Sequence, residues 1–168
     1  STITPSNVQL IQNINSNIVY NPEFLRENHA DEDFINSNLI VFGGKNEKIK
    51  KVSAFYKTYT KCKSKDYIFT DEITASLIKY AINSFLALKV VYFNQFKNLY
   101  DKSGAEQDWN AFVNILSNDK RIGDSHMQVP GHDGRFGFGG ACFPKDVSAI
   151  LNYSNSIGIN FEILSKAM

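Results

Sequence analysis

The 168-residue sequence carries 18 lysine and arginine residues against 17 aspartate and glutamate residues, and 43% of its residues are hydrophobic. This length fits one domain or parts of two, and the hydrophobic share is sufficient for a packed core. The formal net charge of +1 provides no basic surface of the kind that binds nucleic acid. The most apolar stretch, 73–99, is too often interrupted for a membrane span, by Lys79, Asn83, Lys89, Asn94 and Gln95.

The N-terminal part predicts a piece of an α/β sheet. Short apolar runs at 18–20, 39–42 and 67–69 predict strands, and Asn-Pro or Gly-Gly follows the first two. Between the second and third runs, apolar residues at helical spacing predict a helix over 46–61. A strand, a helix and a strand in this order are typical of an α/β arrangement.

The sequence changes character at Asp71 and becomes predominantly helical. Thr70 can cap a helix, and apolar residues then recur at helical spacing until Gly104, which predicts one helix of about 33 residues. Its apolar cover is wider than one face, so we expect it to pack against its own chain, a second subunit or both. Further helices are predicted at 108–118 and from Pro144 to about Gly158.

Cys142 is the strongest candidate for a reactive side chain. It follows a glycine-rich loop, in which the backbone can approach a bound group closely, and it stands at the start of a predicted helix. The positive end of the helix dipole, together with the nearby Lys145, favours the thiolate form. Asp146, four residues later, rises on the same side and could hold a water beside the sulfur. A buried structural cysteine is the alternative interpretation of the same residues.

The other cysteine and the histidines point to no second chemistry. Cys62 lies among lysines at a predicted helix end and is interpreted as a surface or packing residue. A cysteine hydrolase would need a histidine base, and neither His126 nor His132 is tied by its spacing to Cys142. Neither a CxxC nor an HExxH motif is present, so no metal site is expected. We recognise no signal peptide, and two distant cysteines favour a reducing cytoplasm.

Six segments resemble the UDP-glucose/GDP-mannose dehydrogenase family, and they follow the order of that family along the chain. GFGGACFPKD at 137–146 resembles the active-site motif of that family, NPEFLRE at 21–27 resembles its segment of the same residues, and 39–44 resembles the strand after that segment. KYAIN at 79–83 resembles the K-x-x-x-N of its long central helix, and DKRIG at 119–123 resembles its arginine loop. Ser1-Thr2 resembles the end of the strand that carries its active-site threonine.

The resemblance implies a double oxidation of the C6 alcohol of UDP-glucose to a carboxylate, with two NAD consumed. Cys142 would attack the aldehyde stage and form a thiohemiacetal and then a thioester, which water hydrolyses. Asp146 and Lys79 would handle that water and stabilise the developing oxyanion. Thr2 and Glu27 would assist proton transfers through water.

The resemblance also implies the binding residues. Asn83, one helical turn from Lys79, would reach the same site as a catalytic and substrate-binding residue. The other substrate-binding residues would be Lys79, Glu23, Phe24, Leu25, Phe138, Gly139 and Arg121, the last of these reaching the substrate of a neighbouring subunit. The NAD cofactor would contact Thr2, Glu27 and Lys145.

The implied organisation is the C-terminal part of a Rossmann-like NAD-binding domain at 1–70, followed by a helical dimerisation and catalytic domain at 71–168. The sequence has no GxGxxG turn, and Gly137–Gly140 does not supply one. We therefore expect a partial enzyme that is inactive alone, cytoplasmic and homodimeric through the long helix, in a pathway that supplies UDP-glucuronate for polysaccharides. The alternatives are a non-catalytic dimerisation module and a relative acting on GDP-mannose or UDP-N-acetylmannosamine.

Overall fold

The computed structural model describes residues 2–26 and 29–168 as two compact units, one up to Ala81 and the other Ile82–Met168. The predicted domain boundary at 70/71 stays a prediction. In chain order the elements are α1 (Pro5–Ile14), β1 (Val19–Tyr20), α2 (Ala30–Ile35), β2 (Val41–Gly44), α3 (Asn46–Tyr59), β3 (Ile68–Thr70), α4 (Glu72–Lys102), α5 (Trp109–Leu116), α6 (Phe143–Ser156) and α7 (Glu162–Ala167).

The N-terminal unit contains a three-stranded sheet in the order β1-β2-β3. β2 pairs antiparallel with β1 and parallel with β3. Its successive residues Val41 and Phe42 are both fully buried because they point to opposite, covered faces. The predicted α/β remnant is confirmed.

Each face of β2 has its own apolar cluster. Val41 packs with Val8, Tyr20 and Ala75. Phe42, on the opposite face, packs with a cluster formed by Ile40, Ile49 and Cys62. Cys62 is therefore a buried packing residue, one of the two interpretations that its sequence left open.

α4 begins close against the sheet. A Cβ atom on Gly43 would lie 2.7 Å from the Ala75 side chain, so the glycine permits this approach. Asp71 caps the helix because its carboxylate accepts two hydrogen bonds from Thr74. The backbone N–H of Thr74 donates one at 2.8 Å, and its hydroxyl donates the other at 2.6 Å. These bonds hold the pKa of Asp71 below its ordinary value. The capping residue is thus Asp71 and not Thr70, which ends β3.

The predicted long helix is confirmed, and it is 31 residues long. Its length and hydropathy would also fit a membrane span, a criterion that the core helix of a soluble protein meets equally. Lys79, Asn83 and Lys89 are all at most 9% exposed within the protein, which fits the core interpretation.

The C-terminal unit has an aromatic core. α5 is capped by Asp108 and turns its apolar face towards α4, with Trp109 and Val113 buried. The indole N–H of Trp109 donates to the Met127 carbonyl at 3.1 Å, which fixes the segment after α5 to this core. The residues of the core are Phe93, Trp109, Val113, Met127 and Val129, with Phe96, Tyr100, Phe112 and Leu116 packed against them.

Candidate active site

Cys142 lies at the N-terminus of α6 with its side chain exposed. Its carbonyl accepts the first hydrogen bond of the helix from the Asp146 N–H at 2.9 Å, so Cys142 is the capping residue. Pro144 occupies the second helical position, where its missing N–H leaves no gap in the hydrogen bonding. The sulfur therefore stands at the positive end of a 14-residue helix.

The glycine-rich loop before Cys142 needs glycine for its backbone. Gly137 and Gly140 both have φ of +76°, a left-handed conformation that side chains disfavour. Gly139 has open space where a Cβ would stand. Phe138 is half-buried, with its ring 6.4 Å from that of Phe143. The loop thus presents exposed backbone on the approach to the sulfur.

Asp146 is the buried acid of this unit, with 1% exposure. Its Oδ2 accepts a hydrogen bond of 2.6 Å from Asn83 Nδ2. Its Oδ1 accepts no hydrogen bond from the described residues, although Lys145 Nζ lies 3.2 Å away, so that contact is an ion pair without hydrogen-bond alignment. A buried carboxylate with one free oxygen is suited to holding a water or a substrate hydroxyl.

Lys79 contacts the segment predicted to bind substrate. Lys79 is 5% exposed, and its Nζ lies 5.5 Å from the centre of the Phe24 ring. A cavity of about 280 Å³ lies beside this segment, with Glu23, Phe24 and Leu25 among its lining residues. Lys79 does not line this cavity, but its burial excludes the surface role that a lysine usually has.

The remaining predicted residues lie as follows. Thr2 is half-buried and precedes Ile3, whose carbonyl accepts a 2.6 Å hydrogen bond from Ser76 of α4. Glu27 lies outside the described residues. Arg121 is exposed and donates three hydrogen bonds from its guanidinium and one from its backbone N–H to Asp119, which lower the pKa of that carboxyl. Lys145 is 58% exposed apart from its ion pair with Asp146.

Two polar residues of α4 were interpreted in the sequence only as interruptions of an apolar run. Lys89, 9% exposed, donates to the Ile122 carbonyl at 2.9 Å, and burial lowers its pKa. Asn94 accepts a hydrogen bond of 2.9 Å from the Gly137 N–H. The spacing offered a signal, because 11 residues, from Asn83 to Asn94, bring a helix back to about the same face.

His126 is held against the start of α6. Its backbone has φ of +63°, which is uncommon for a residue with a side chain, and its ring lies 5.5 Å from that of Phe143. Burial, with a smaller effect of the Lys89 ammonium, lowers its pKa, and its Nδ1 is buried without a hydrogen-bond partner among the described residues. Among residues 2–26 and 29–168, no group of three or more side chains that could hold a metal ion is present.

The class of protein follows from the similarity of the chain to known families. The central domain of the UDP-glucose/GDP-mannose dehydrogenase family matches residues 73–168, and the NAD binding domain of the same family matches residues 1–61. The chain belongs to the UDP-glucose/GDP-mannose dehydrogenase family, as the sequence motifs predicted.

Individual relatives agree with this assignment. The UDP-glucose 6-dehydrogenase of Rickettsia bellii is 38% identical over 175 residues, covering 100% of this chain and 38% of the relative. UDP-glucose 6-dehydrogenase YwqF of Bacillus subtilis is 33% identical over 159 residues, covering 95% and 34%. The solved UDP-glucose dehydrogenase of Pyrobaculum islandicum is 34% identical with a TM-score of 0.73, covering 89% and 32%. The chain therefore spans about a third of the length of the curated relatives it matches.

Proposed function

We propose that this chain carries the covalent machinery of a UDP-glucose 6-dehydrogenase, a cytoplasmic enzyme that oxidises UDP-glucose to UDP-glucuronate for polysaccharide synthesis. The observation that carries the proposal is the pair formed by the exposed Cys142 and the buried Asp146, one turn apart at the N-terminus of α6. The relatives from Rickettsia bellii and Bacillus subtilis are UDP-glucose 6-dehydrogenases by name, which supports this substrate over GDP-mannose or UDP-N-acetylmannosamine.

The cofactor of the proposal is NAD, which accepts a hydride from C6 of the sugar in each of the two oxidations. Lys145 fits such a group, because its ammonium is exposed beside the first turn of α6 and can pair with a pyrophosphate. Thr2 and Glu27 are the other residues that we propose to contact the cofactor. The given sequence contains no GxGxxG turn, and these three residues are the cofactor contacts of the proposal.

In the proposed reaction, the sugar is bound covalently to Cys142 between the two oxidations. The first oxidation removes a hydride from C6 and a proton from its hydroxyl, which leaves an aldehyde. Cys142 Sγ then bonds to C6 while the carbonyl oxygen takes up a proton, giving a thiohemiacetal. Loss of a second hydride and of that proton gives a thioester. Water attacks C6, the C–S bond breaks, and a carboxylate and the free thiol result.

The other residues of the proposal bind the sugar or stabilise charge. Asp146, held by Asn83, accepts a proton from the attacking water. Lys79 stabilises the oxyanion as it develops on C6. Thr2 and Glu27 pass protons through water. The substrate-binding residues of the proposal are Lys79, Asn83, Glu23, Phe24, Leu25, Phe138, Gly139 and, from a neighbouring subunit, Arg121.

The same proposal includes a homodimer formed through α4. Phe85, Tyr92 and Leu99 follow one another at intervals of seven residues and are 65%, 56% and 62% exposed. Apolar residues at this interval form the seam by which two helices pack. A second copy of the chain on this seam would cover side chains that otherwise face water.

The experiment that tests the proposal compares protection of Cys142. Iodoacetamide is added to the chain, and alkylation of each cysteine is followed by mass spectrometry with UDP-glucose, its C6 aldehyde, GDP-mannose or UDP-N-acetylmannosamine present. We expect UDP-glucose and the aldehyde to slow alkylation of Cys142 at least tenfold while GDP-mannose does not. Equal protection by all the nucleotide sugars would remove the assigned substrate.

Turnover provides the second arm. In any preparation that forms NADH from UDP-glucose, we expect two NADH for each UDP-glucuronate. Cys142→Ala should abolish the second oxidation, and the matched Cys62→Ala should retain both. A non-catalytic dimerisation module is the alternative function, supported by the exposed seam of α4. That alternative would be favoured if light scattering finds a dimer and iodoacetamide does not alkylate Cys142 in it.

A further inference from the structure

Asn94 joins the long helix α4 to the glycine-rich loop. Its Oδ1 accepts a hydrogen bond from the Gly137 N–H at 2.9 Å, and its Nδ2 donates to the Val90 carbonyl within the helix at 2.8 Å. The second bond fixes which way round the amide stands, because the NH₂ group must face a carbonyl and the oxygen then faces the loop. The side chain is therefore held at both ends.

Gly137 is a turning point of the loop that carries the nucleophile. It lies five residues before Cys142, and its φ of +76° is left-handed, as are those of Gly134 before it and Gly140 after it. The far end of the loop is fixed by α6 itself, through the bond from the Asp146 N–H to the Cys142 carbonyl. Residues 139–141, between these two ties, are exposed. A hydrogen bond that holds Gly137 therefore limits the backbone conformations that the residues between Gly137 and α6 can adopt.

We propose that Asn94 is a positioning residue for the nucleophile: by holding Gly137 it keeps the loop in the conformation that leaves Cys142 Sγ exposed at the mouth of α6. This inference rests on the proposed function, since it takes Cys142 as the reacting atom. Without the restraint, the exposed loop can fold over the sulfur or draw it away from the helix terminus.

The test uses Asn94→Leu, which removes both hydrogen bonds at similar volume, and the matched control Asn98→Leu on the same helix, where the asparagine is exposed. We expect Asn94→Leu to slow alkylation of Cys142 by iodoacetamide about fivefold, the change that follows loss of one ordinary hydrogen bond. The exchange of the Gly137 amide hydrogen should accelerate by a similar factor. Unchanged alkylation or unchanged exchange, relative to Asn98→Leu, would overturn the proposal.

A conservative variant separates positioning from general destabilisation. Asn94→Asp keeps an oxygen that can accept from Gly137 but loses the donor to Val90, so it should restore most of the alkylation rate. If it is as slow as Asn94→Leu, the proposal fails. Cys62, 2% exposed, should stay unreactive in every variant and reports on folding. Protection of wild-type Cys142 by UDP-glucose tests the proposed function separately. If UDP-glucose gave no protection, the alkylation rate could still depend on Asn94.

Discussion

The two cysteines of this chain have the same functional group in opposite surroundings. Cys62 is 2% exposed in a cluster of aromatic and aliphatic side chains beside β2. Cys142 is exposed at a helix N-terminus, after a loop whose glycines leave the backbone open. Reactivity of a thiol depends on access, and only the second environment leaves the sulfur open to a reagent. The difference shows that the environment, and not the residue type, marks the candidate nucleophile.

The largest effect that we expect from this comparison is on the rate of alkylation. In the native chain, iodoacetamide should modify Cys142 at least ~100-fold faster than Cys62, because the buried thiol reacts only when the fold opens locally. Mass spectrometry of the two cysteine-containing peptides over time measures both rates. Similar rates for the two thiols would contradict the contrast on which the site assignment depends.

The same comparison predicts effects of different size on the free energy of unfolding. Cys62→Ser places a hydroxyl in an apolar cluster, where burying a polar group is unfavourable. It should lower the free energy of unfolding by ~2 kcal/mol. Cys142→Ser at the exposed cap should change it by less than ~0.5 kcal/mol. Urea denaturation of the two variants measures both values, and a larger loss for Cys142→Ser would show that its surroundings are structural.

Loss of the hydrogen bond between Asn83 and Asp146 should lower the free energy of unfolding by an amount similar to that of Cys62→Ser. Asn83→Leu leaves one more oxygen of the buried carboxylate without a donor and should cost ~1–3 kcal/mol of the free energy of unfolding. If the two residues act through their 2.6 Å bond, the double variant Asn83→Leu/Asp146→Leu should lose less than the sum of the two single variants. Additive losses in urea denaturation would show that the bond contributes no coupling. Asn98→Leu, on an exposed position of α4, is the control.

Much of the fold followed from local patterns. The three strands, α3, α4, α5 and α6 were predicted near their observed positions because their apolar spacing and their glycines and prolines are strong local signals. α1, α2 and α7 were not assigned. α2 and α7 have six residues each, too few to establish a period, and α1 exposes Leu10 and Ile14, which blurs its apolar face.

The sequence named residues for the site, and these stay a prediction, but it did not predict which of them contact one another. Helical spacing suggested that Asn83 works beside Lys79, but no local rule could connect it to Asp146, 63 residues away. The same holds for Asn94 and Gly137, which are 43 residues apart. Contacts of this kind depend on how the loop returns to α4, which tertiary packing decides.

The smallest effect concerns His126, whose pKa is lowered mainly by burial. An unfolded histidine titrates near pH ~6.5, so just below that pH the unfolded chain binds a proton that the folded chain does not. The free energy of unfolding should therefore fall as the pH is lowered from about 7 towards the folded pKa, and it should not depend on His126 at higher pH. In His126→Gln this slope should flatten, whereas in His132→Gln, at an exposed position, it should persist. Urea denaturation at several pH values between about 5.5 and 7.5 measures the slope, and equal slopes in the two variants would show that the His126 ring against Phe143 is open to protons in the folded chain.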